Sequence, residues 1–337
     1  MREGKGMVRA SDLGERKIIE ILRENLEMPR DTVLPFGDDA SAISLPGGLA
    51  GVLKTDMLVA KTDVPPGMSI EQAARKAVVM NISDFAAKGV RPLAIMVSVG
   101  LPSSLTREEI VQLGRGLNEG AREYGTFVIG GDTGEADDLI ISCSLFGVCD
   151  PGSLVARSGA RVGDIVAVTG PFGNTGAGFK ILLEGMEPPL GVRENILRSV
   201  YMPKAQLRVG LMLAEKRLAS ASIDSSDGLA WCLHELSLAS KIGFELDIIP
   251  VSAEARVFAE AQHLSPEDLA LYGGEEYEIV LTVPSGKLEE SVIAAEMIGS
   301  KILPIGRVVA PERGIVLKEG RSEKKLLIRG WEHFSKE

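Results

Sequence analysis

The sequence predicts an α+β fold made of two successive mixed units, residues 1–150 and 151–337. Length is the first reason, since 337 residues suffice for one large or two medium domains, each with its own core. The second is that helical-period segments alternate with short apolar runs, once before residue 150 and again after it. The third is a Gly-Asp or Ser-Asp corner at the end of several of those runs, a placement that repeats in both halves.

In chain order, Ile18, Ile19, Leu22 and Leu26 form one stripe of a helix over residues 12–27. A strand pair then turns at Leu45-Pro46-Gly47-Gly48, and the second strand is expected to deliver Asp56 at its end. Ser69 and Gln72 make a capping box for a helix that runs to Lys88 and stops at Gly89. A strand over 93–99 leads to a helix capped by Thr106 and Glu109 and ending near Tyr124 and Gly125. Strands over 126–129 and 139–148, with Gly131 and Asp132 between them, complete the first unit. The second unit opens at Arg157-Ser158-Gly159-Ala160. It continues with strands over 164–169, 244–248, 277–283 and 302–308 and helices over 203–218 and 229–240.

Seven aspartates stand at these corners: Asp38, Asp39, Asp56, Asp84, Asp132, Asp224 and Asp227. A carboxylate is costly to bury unless it is paired or bound to a metal, so this repetition in apolar surroundings points to divalent cations facing a phosphorylated ligand. Asn81 and Asp84, three apart, share a helix face, where Asp84 reads equally as a cap for a neighbouring loop or as a ligand. Asp132 reads as a plain turn or as a ligand at the end of a buried strand. Ser226 or Asp227 can be the N-cap of the helix that follows. Alternatively, Asp224 and Asp227 with their flanking hydroxyls can hold a hard cation, Mg²⁺ rather than Zn²⁺. Arg157 is either a surface ion-pair partner or a phosphate contact. Glu275 and Glu276 divide between a ligand contact and a solvent-facing group, and Trp331 either covers a core or stacks on a cationic ring. The glycines of 170–178 match neither a P-loop nor a dinucleotide loop. Metal-assisted phosphoryl transfer uses such an inventory of fixed carboxylates and a few cations.

A net charge of −10, spread along the chain, argues against a nucleic-acid partner. The polar segment Met1 to Asp12 is read as neither signal peptide nor anchor, and no apolar run reaches membrane-spanning length. Cys143, Cys149 and Cys232 lack paired spacing and read as reduced thiols of an intracellular, cytoplasmic protein. His234, His263 and His333 have no nucleophile beside them, which disfavours a triad hydrolase.

In their order, Gly37-Asp38-Asp39-Ala40, Asn81-Ile82-Ser83-Asp84, Gly130-Gly131-Asp132-Thr133, Arg157-Ser158-Gly159-Ala160, Asp224-Ser225-Ser226-Asp227-Gly228, Gly273-Gly274-Glu275-Glu276 and Gly330-Trp331-Glu332-His333-Phe334 resemble the thiamine-monophosphate kinase family over nearly the whole chain. This family belongs to the ATP-binding superfamily of aminoimidazole ribonucleotide synthetase. The resemblance implies ATP-dependent phosphorylation of thiamine monophosphate to thiamine diphosphate, with several Mg²⁺ ions between the two phosphate-bearing molecules. It implies Asp39, Thr55, Asp56, Asp84, Asp132, Asp224 and Asp227 as metal-site residues, and Gly131, Asp132, Arg157 and Ser226 as nucleotide contacts. Catalysis then falls to Asp132, Asp224, Asp227 and Arg157, and the thiamine moiety to Glu275 and Trp331. A homodimer is also implied, closed through a barrel-like N-terminal sheet, with the active site between the domains. Two positions depart from the family: Asp63 stands where its substrate-contacting histidine would be, and Glu276 replaces an aspartate. The competing readings are a related enzyme with another phosphorylated acceptor and a non-enzymatic nucleotide-binding scaffold.

Overall fold

The computed structural model describes residues 8–27, 29, 32–320 and 322–330. Among these residues two sheets form. The first contains β1 (Thr32–Leu34), β2 (Ser41–Leu45), β3 (Leu49–Val59), β4 (Pro92–Leu101), β5 (Val128–Glu135) and β6 (Ile140–Cys149). Its order is β1-β2-β3-β6-β4-β5, antiparallel except for the β4–β5 pair. The second contains β7 (Ile165–Val168), β8 (Ala221–Asp224), β9 (Gly243–Leu246), β10 (Ile279–Val283), β11 (Leu303–Val309), β12 (Ile315–Glu319) and β13 (Ser322–Lys325), in the order β13-β12-β9-β11-β7-β10-β8.

The helix Ile70–Lys88 joins the two. It starts at the expected capping box, where the Ser69 hydroxyl accepts from Gln72 N–H and the Gln72 side chain accepts from Ser69 N–H. It stops where Gly89 turns left-handed at φ +69°. Between these ends nearly every side chain is buried, because one side packs on the first sheet and another reaches β8, β10 and the helix Leu207–Glu215. Such close packing needs small residues. A Cβ on Gly210 would come within 1.9 Å of the Ala86 carbonyl oxygen, and one on Gly116 within 2.0 Å of that of Glu71. Val78, Ile82 and Phe85 are fully buried in one core with Val52, Ile95 and Leu145 of the first sheet and Ile279, Leu281 and Val283 of the second. Each such side chain contributes about 1.5–3 kcal/mol by burial.

The sheets differ on their far faces. In the second, Val166, Val168 and Val280 meet Leu229, Leu233 and Leu236 of the helix Leu229–Ser240. In the first, Leu53, Met57, Leu93, Met96 and Phe146 remain exposed. Leu53 pairs with Phe146, and Met96 lies beside Ser144, so these side chains form one apolar surface.

Two expectations are corrected. Asp56 lies inside β3 rather than at a strand end, because the strand continues to Val59. Asp132 is not at the end of a buried strand but within β5, an exposed edge strand. Gly131 lets that strand continue, since a Cβ there would meet the Val97 carbonyl oxygen at 1.8 Å. The stripe of the first helix is also only thinly used: Glu15–Glu24 buries no side chain. No described helix is long and apolar enough to cross a membrane.

Candidate active site at the seam of the two sheets

A cavity of about 950 Å³ opens along the seam, with walls from β3, the helix Ile70–Lys88, the end of β8 and the helix Glu15–Glu24. At its floor Asp39, Asp84 and Asp224 are buried, and one oxygen from each lies within 4.8 Å of the others. Three different elements deliver them. Gly37, at φ +98°, turns the chain after β1, and the Asp39 N–H donates to Asp38 Oδ1 at 2.9 Å. Asp84 projects from the joining helix, and Asp224 is the last residue of β8, where its Oδ2 accepts from Ser83 Oγ at 3.0 Å. Asn81 serves the same floor indirectly, accepting the Asp56 N–H at 2.9 Å and so fixing β3.

Three cations offset these carboxylates only in part. Lys54 Nζ lies 3.0 Å from both Asp56 Oδ1 and Asp84 Oδ2. Lys88, fully buried, donates to Asp38 Oδ1 at 2.7 Å and to the Ser222 carbonyl at 2.8 Å. Arg157 donates from Nε to Asp39 Oδ1 at 2.7 Å, and its backbone N–H reaches Asp38 Oδ2 at 2.8 Å. Burial pushes Asp224 up to about 7, and the neighbouring Asp39 charge adds to the rise. Asp84 is pushed well above the carboxylate range, by burial first and then by Asp224 and Asp56, against the pull of Lys54. Asp227 rises to about 6 through burial and Glu15, with Arg157 and Arg16 opposing. Burial also opposes ionisation of Asp39, but Arg157 and Lys88 outweigh it and hold its carboxyl low. Asp39 Oδ2 nevertheless accepts no hydrogen bond, although Lys88 Nζ is 3.0 Å away. An orphaned buried carboxylate oxygen beside two more buried carboxylates fits a divalent cation, and an all-oxygen donor set fits Mg²⁺.

Of the residues singled out in the sequence, Asp39, Thr55, Asp56, Asp84, Arg157, Asp224, Ser226 and Asp227 line this one cavity. Thr55 and Asp56 alternate to opposite faces of β3, and Thr55 Oγ1 sits on the bare face within 3.0 Å of Ser144 Oγ. Neither Ser226 nor Asp227 caps the helix Leu229–Ser240; Gly228 holds that position. The Ser225–Ser226 backbone is used otherwise, its carbonyls accepting from Tyr277 N–H at 3.0 Å and Glu275 N–H at 2.7 Å.

Five predicted residues are not part of the cavity wall. Gly131 and Asp132 lie on β5, three strands and therefore about 14 Å from β3. Glu275, at φ +62°, gives both carboxylate oxygens to Lys76, at 2.6 and 2.7 Å. Asp63 caps its own turn, accepting the Val59 N–H at 2.7 Å, and its carbonyl accepts from Lys76 at 2.8 Å. Glu276 is not solvent-facing: its Oε1 accepts from Gly173 and Thr175 N–H at the start of the helix Asn174–Glu184, and burial moves its carboxyl up to about 7. Trp331 lies outside the described residues, but Gly330 is packed against Trp231 and the Asp227 carbonyl at the cavity rim.

Sequence reasoning missed Lys54, Lys76 and Lys88, and also Arg16, which lies over the Trp231 ring at 3.2 Å from its centroid. The available signal for Lys76 and Lys88 was a helix of apolar residues on nearly every side, which leaves no solvated face for a lysine.

Residues 37–149 match the N-terminal domain, and residues 161–318 the C-terminal domain, of the AIR synthase related protein family. Among curated proteins, the thiamine-monophosphate kinase of Nitrosopumilus maritimus is 33% identical over 96% of this chain and 99% of its own. That of Pyrococcus abyssi is 36% identical over 89% of this chain and 91% of its own. Among solved structures, AaThiL complexed with AMPPCP and TMP superimposes with a TM-score of 0.85 at 27% identity, covering 98% of this chain and all 100% of that one.

Proposed function

Because the chain belongs to the thiamine-monophosphate kinase family, we propose that the seam cavity phosphorylates thiamine monophosphate to thiamine diphosphate with ATP as donor. The observation that carries this reading is the buried set Asp39, Asp84 and Asp224, with an unsatisfied oxygen, in a chain that superimposes on AaThiL with its bound AMPPCP and TMP. Asp39, Asp84 and Asp224 would hold Mg²⁺ at the floor, with Asp56 and Asp227 at its edges. Bound there, Mg²⁺ supplies the positive charge that lets two phosphate groups approach each other.

The protein's own groups do the rest. Arg157 and Lys88 keep Asp39 ionised, and Lys54 fixes Asp56 and Asp84 in place, before any ligand arrives, which removes reorganisation from the reaction itself. Ser226 and Asp227 stand at the wall between floor and rim, where a phosphate oxygen of the nucleotide is held. Hydrogen bonds from Glu275 and Tyr277 to the Ser225–Ser226 backbone tie the acceptor loop to the nucleotide loop, so the two ligands are set at a fixed separation.

The working unit we infer is a dimer joined through the bare face of the first sheet. An apolar surface of this extent favours a second copy. Thr55, Leu53 and Met57 belong both to this face and to the cavity wall, so a partner seated there adjoins the site. Asp132 pairs with Ser98 on the same face, a position from which it and Gly131 serve the partner's cavity rather than their own.

The test is product formation from ATP, Mg²⁺ and thiamine monophosphate, with thiamine as a parallel acceptor. Equal amounts of ADP and thiamine diphosphate, formed only with the monophosphate, are expected. ATP binding without thiamine diphosphate would reject the acceptor and leave a related kinase, the outcome to which Asp63 in place of histidine would then be traced.

A further inference from the structure

Tyr277 lies in the loop between Gly273 and β10, and it lines the seam cavity although only 2% of it is exposed. The backbone there is unusual for large side chains. Glu275, at φ +62°, and Tyr277, at φ +54°, are both left-handed, a region that bulky residues rarely adopt. The loop is held in this form from several sides. Glu275 N–H and Tyr277 N–H donate to the carbonyls of Ser226 and Ser225, and Glu278 N–H donates to Ser225 Oγ at 3.0 Å. Lys76 donates to both oxygens of the Glu275 carboxylate. Strain that its surroundings over-determine in this way gathers at ligand clamps and active sites.

None of the described residues hydrogen-bonds to the Tyr277 hydroxyl, and the little of the residue that is exposed opens to the cavity. Burial raises the phenol well above its usual value, and the charges of Glu275, Asp224, Asp56 and Asp63 raise it further. The group therefore keeps its proton and is a neutral donor within electrostatic reach of the carboxylate floor. Lys54 and Arg157, which line the same cavity, are bound to carboxylates at 2.7–3.0 Å. The Tyr277 hydroxyl is a donor that the floor has not captured. Beside carboxylates that hold a cation, its fitting acceptor is an anionic oxygen brought in with that cation, and an O–H bonded to an anionic oxygen is among the stronger hydrogen bonds.

We propose that the Tyr277 hydroxyl donates to a phosphate oxygen of a substrate bound in the seam cavity. The identity of the substrates rests on the kinase reading above; the unpaired donor in the cavity wall does not. The shared chemistry is a phosphate oxyanion, and the two sources are the monophosphate of the acceptor and the ATP tail. The place of Tyr277 in the loop that carries Glu275 favours the acceptor.

The test is Tyr277→Phe in the full chain, which removes the hydroxyl and keeps the ring packed in the loop. Calorimetric titrations with thiamine monophosphate, with thiamine, and with AMPPCP and Mg²⁺ compare the variant with the wild type, and steady-state kinetics give KM for each substrate. Loss of a hydrogen bond to a charged oxygen is expected to raise Kd and KM for one phosphate ligand about tenfold or more. The ligand affected identifies the source. Binding of thiamine, which carries no phosphate, should not change, and Tm should stay that of the wild type. Unchanged affinity for every phosphate ligand that the wild type binds would overturn the assignment, whatever the effect on kcat. So would equal losses for thiamine and its monophosphate, or losses for all ligands with a lower Tm, since the ring would then only support the loop. If the wild type makes no thiamine diphosphate while the variant loses affinity for AMPPCP, the kinase reading fails and the Tyr277 assignment stands.

Discussion

The first sheet has helices on one face and an apolar surface on the other; the second is covered on both. The contrast is visible strand by strand. All residues of β8, β9 and β10 are buried, whereas β3 alternates, with Leu53 and Met57 about half exposed and Val52 and Leu58 fully buried. A sheet buried twice is a stability element. A sheet with a bare apolar face is the one the proposed dimer would cover. The joining helix lies where the two meet, and the carboxylate floor gathers at that junction, with Asp39 from the first unit, Asp84 from the helix and Asp224 from the second.

The largest effect expected from this contrast comes from placing a charge on each sheet. Val280→Asp, at a fully buried position, should cost several kcal/mol and abolish soluble folded protein. Met96→Asp, on the bare face, should leave the circular dichroism spectrum intact and halve the molar mass in sedimentation. A folded dimer in both would break the comparison.

Next in size is Lys88→Met. It leaves Asp38 and Asp39 beside one another with one cation fewer, and removing one partner of a buried pair costs about 3–5 kcal/mol. Urea unfolding measures it, and a loss below 1 kcal/mol would mean the lysine is not the counter-charge we take it for.

Subunit complementation sharpens the inter-sheet assignment. Asp132→Asn and Asp224→Asn are each expected to be nearly inactive. Mixed and re-associated, they should regain about a quarter of wild-type activity, because half of a random mixture is heterodimer and each heterodimer rebuilds one of two sites. No recovery, with mixed dimers shown to form, would place Asp132 in its own chain's site.

The smallest effect is the pH dependence of stability. Asp224, raised to about 7, and Asp84, raised well above the carboxylate range, bind more protons in the folded than in the unfolded state once pH passes their unfolded values. Their contribution to stability without metal is therefore fully present at low pH and lost as pH rises through their folded values, about 7 for Asp224. Mg²⁺ binds the deprotonated carboxylates, so the Tm gain on adding it should be larger at pH 8 than at pH 6. An equal gain at both would show that the floor carboxylates are already ionised.

Much of this was legible in the sequence where chemistry is local. The box at Ser69 and Gln72, the stop at Gly89 and the helix Leu229–Ser240 follow from caps and periodicity and stand where expected. The aspartates at glycine corners were legible because a carboxylate among apolar residues needs a reason. Asp132 was misplaced because a glycine pair reads as a turn, while here Gly131 serves close strand approach, a fact that only the neighbouring Val97 reveals. Lys54, Lys76 and Lys88 were missed because a lysine reads as solvated until its carboxylate partner is known. Those partners lie 2 to 199 positions away in sequence, with Glu275 of Lys76 at the far end. The alternation that exposes Leu53 and Met57 was present, but which face a second molecule covers is a property of the assembled sheet.

The most direct measurement is divalent-ion binding at the floor. Mn²⁺ titration followed by electron paramagnetic resonance, at pH 8 with AMPPCP present, would compare the wild type with Asp84→Asn. We expect the wild type to bind at least one ion that the variant, folded to the same Tm or higher, does not bind. Identical stoichiometry and affinity in the two proteins would contradict a metal-holding floor at the seam, and with it the phosphoryl-transfer account.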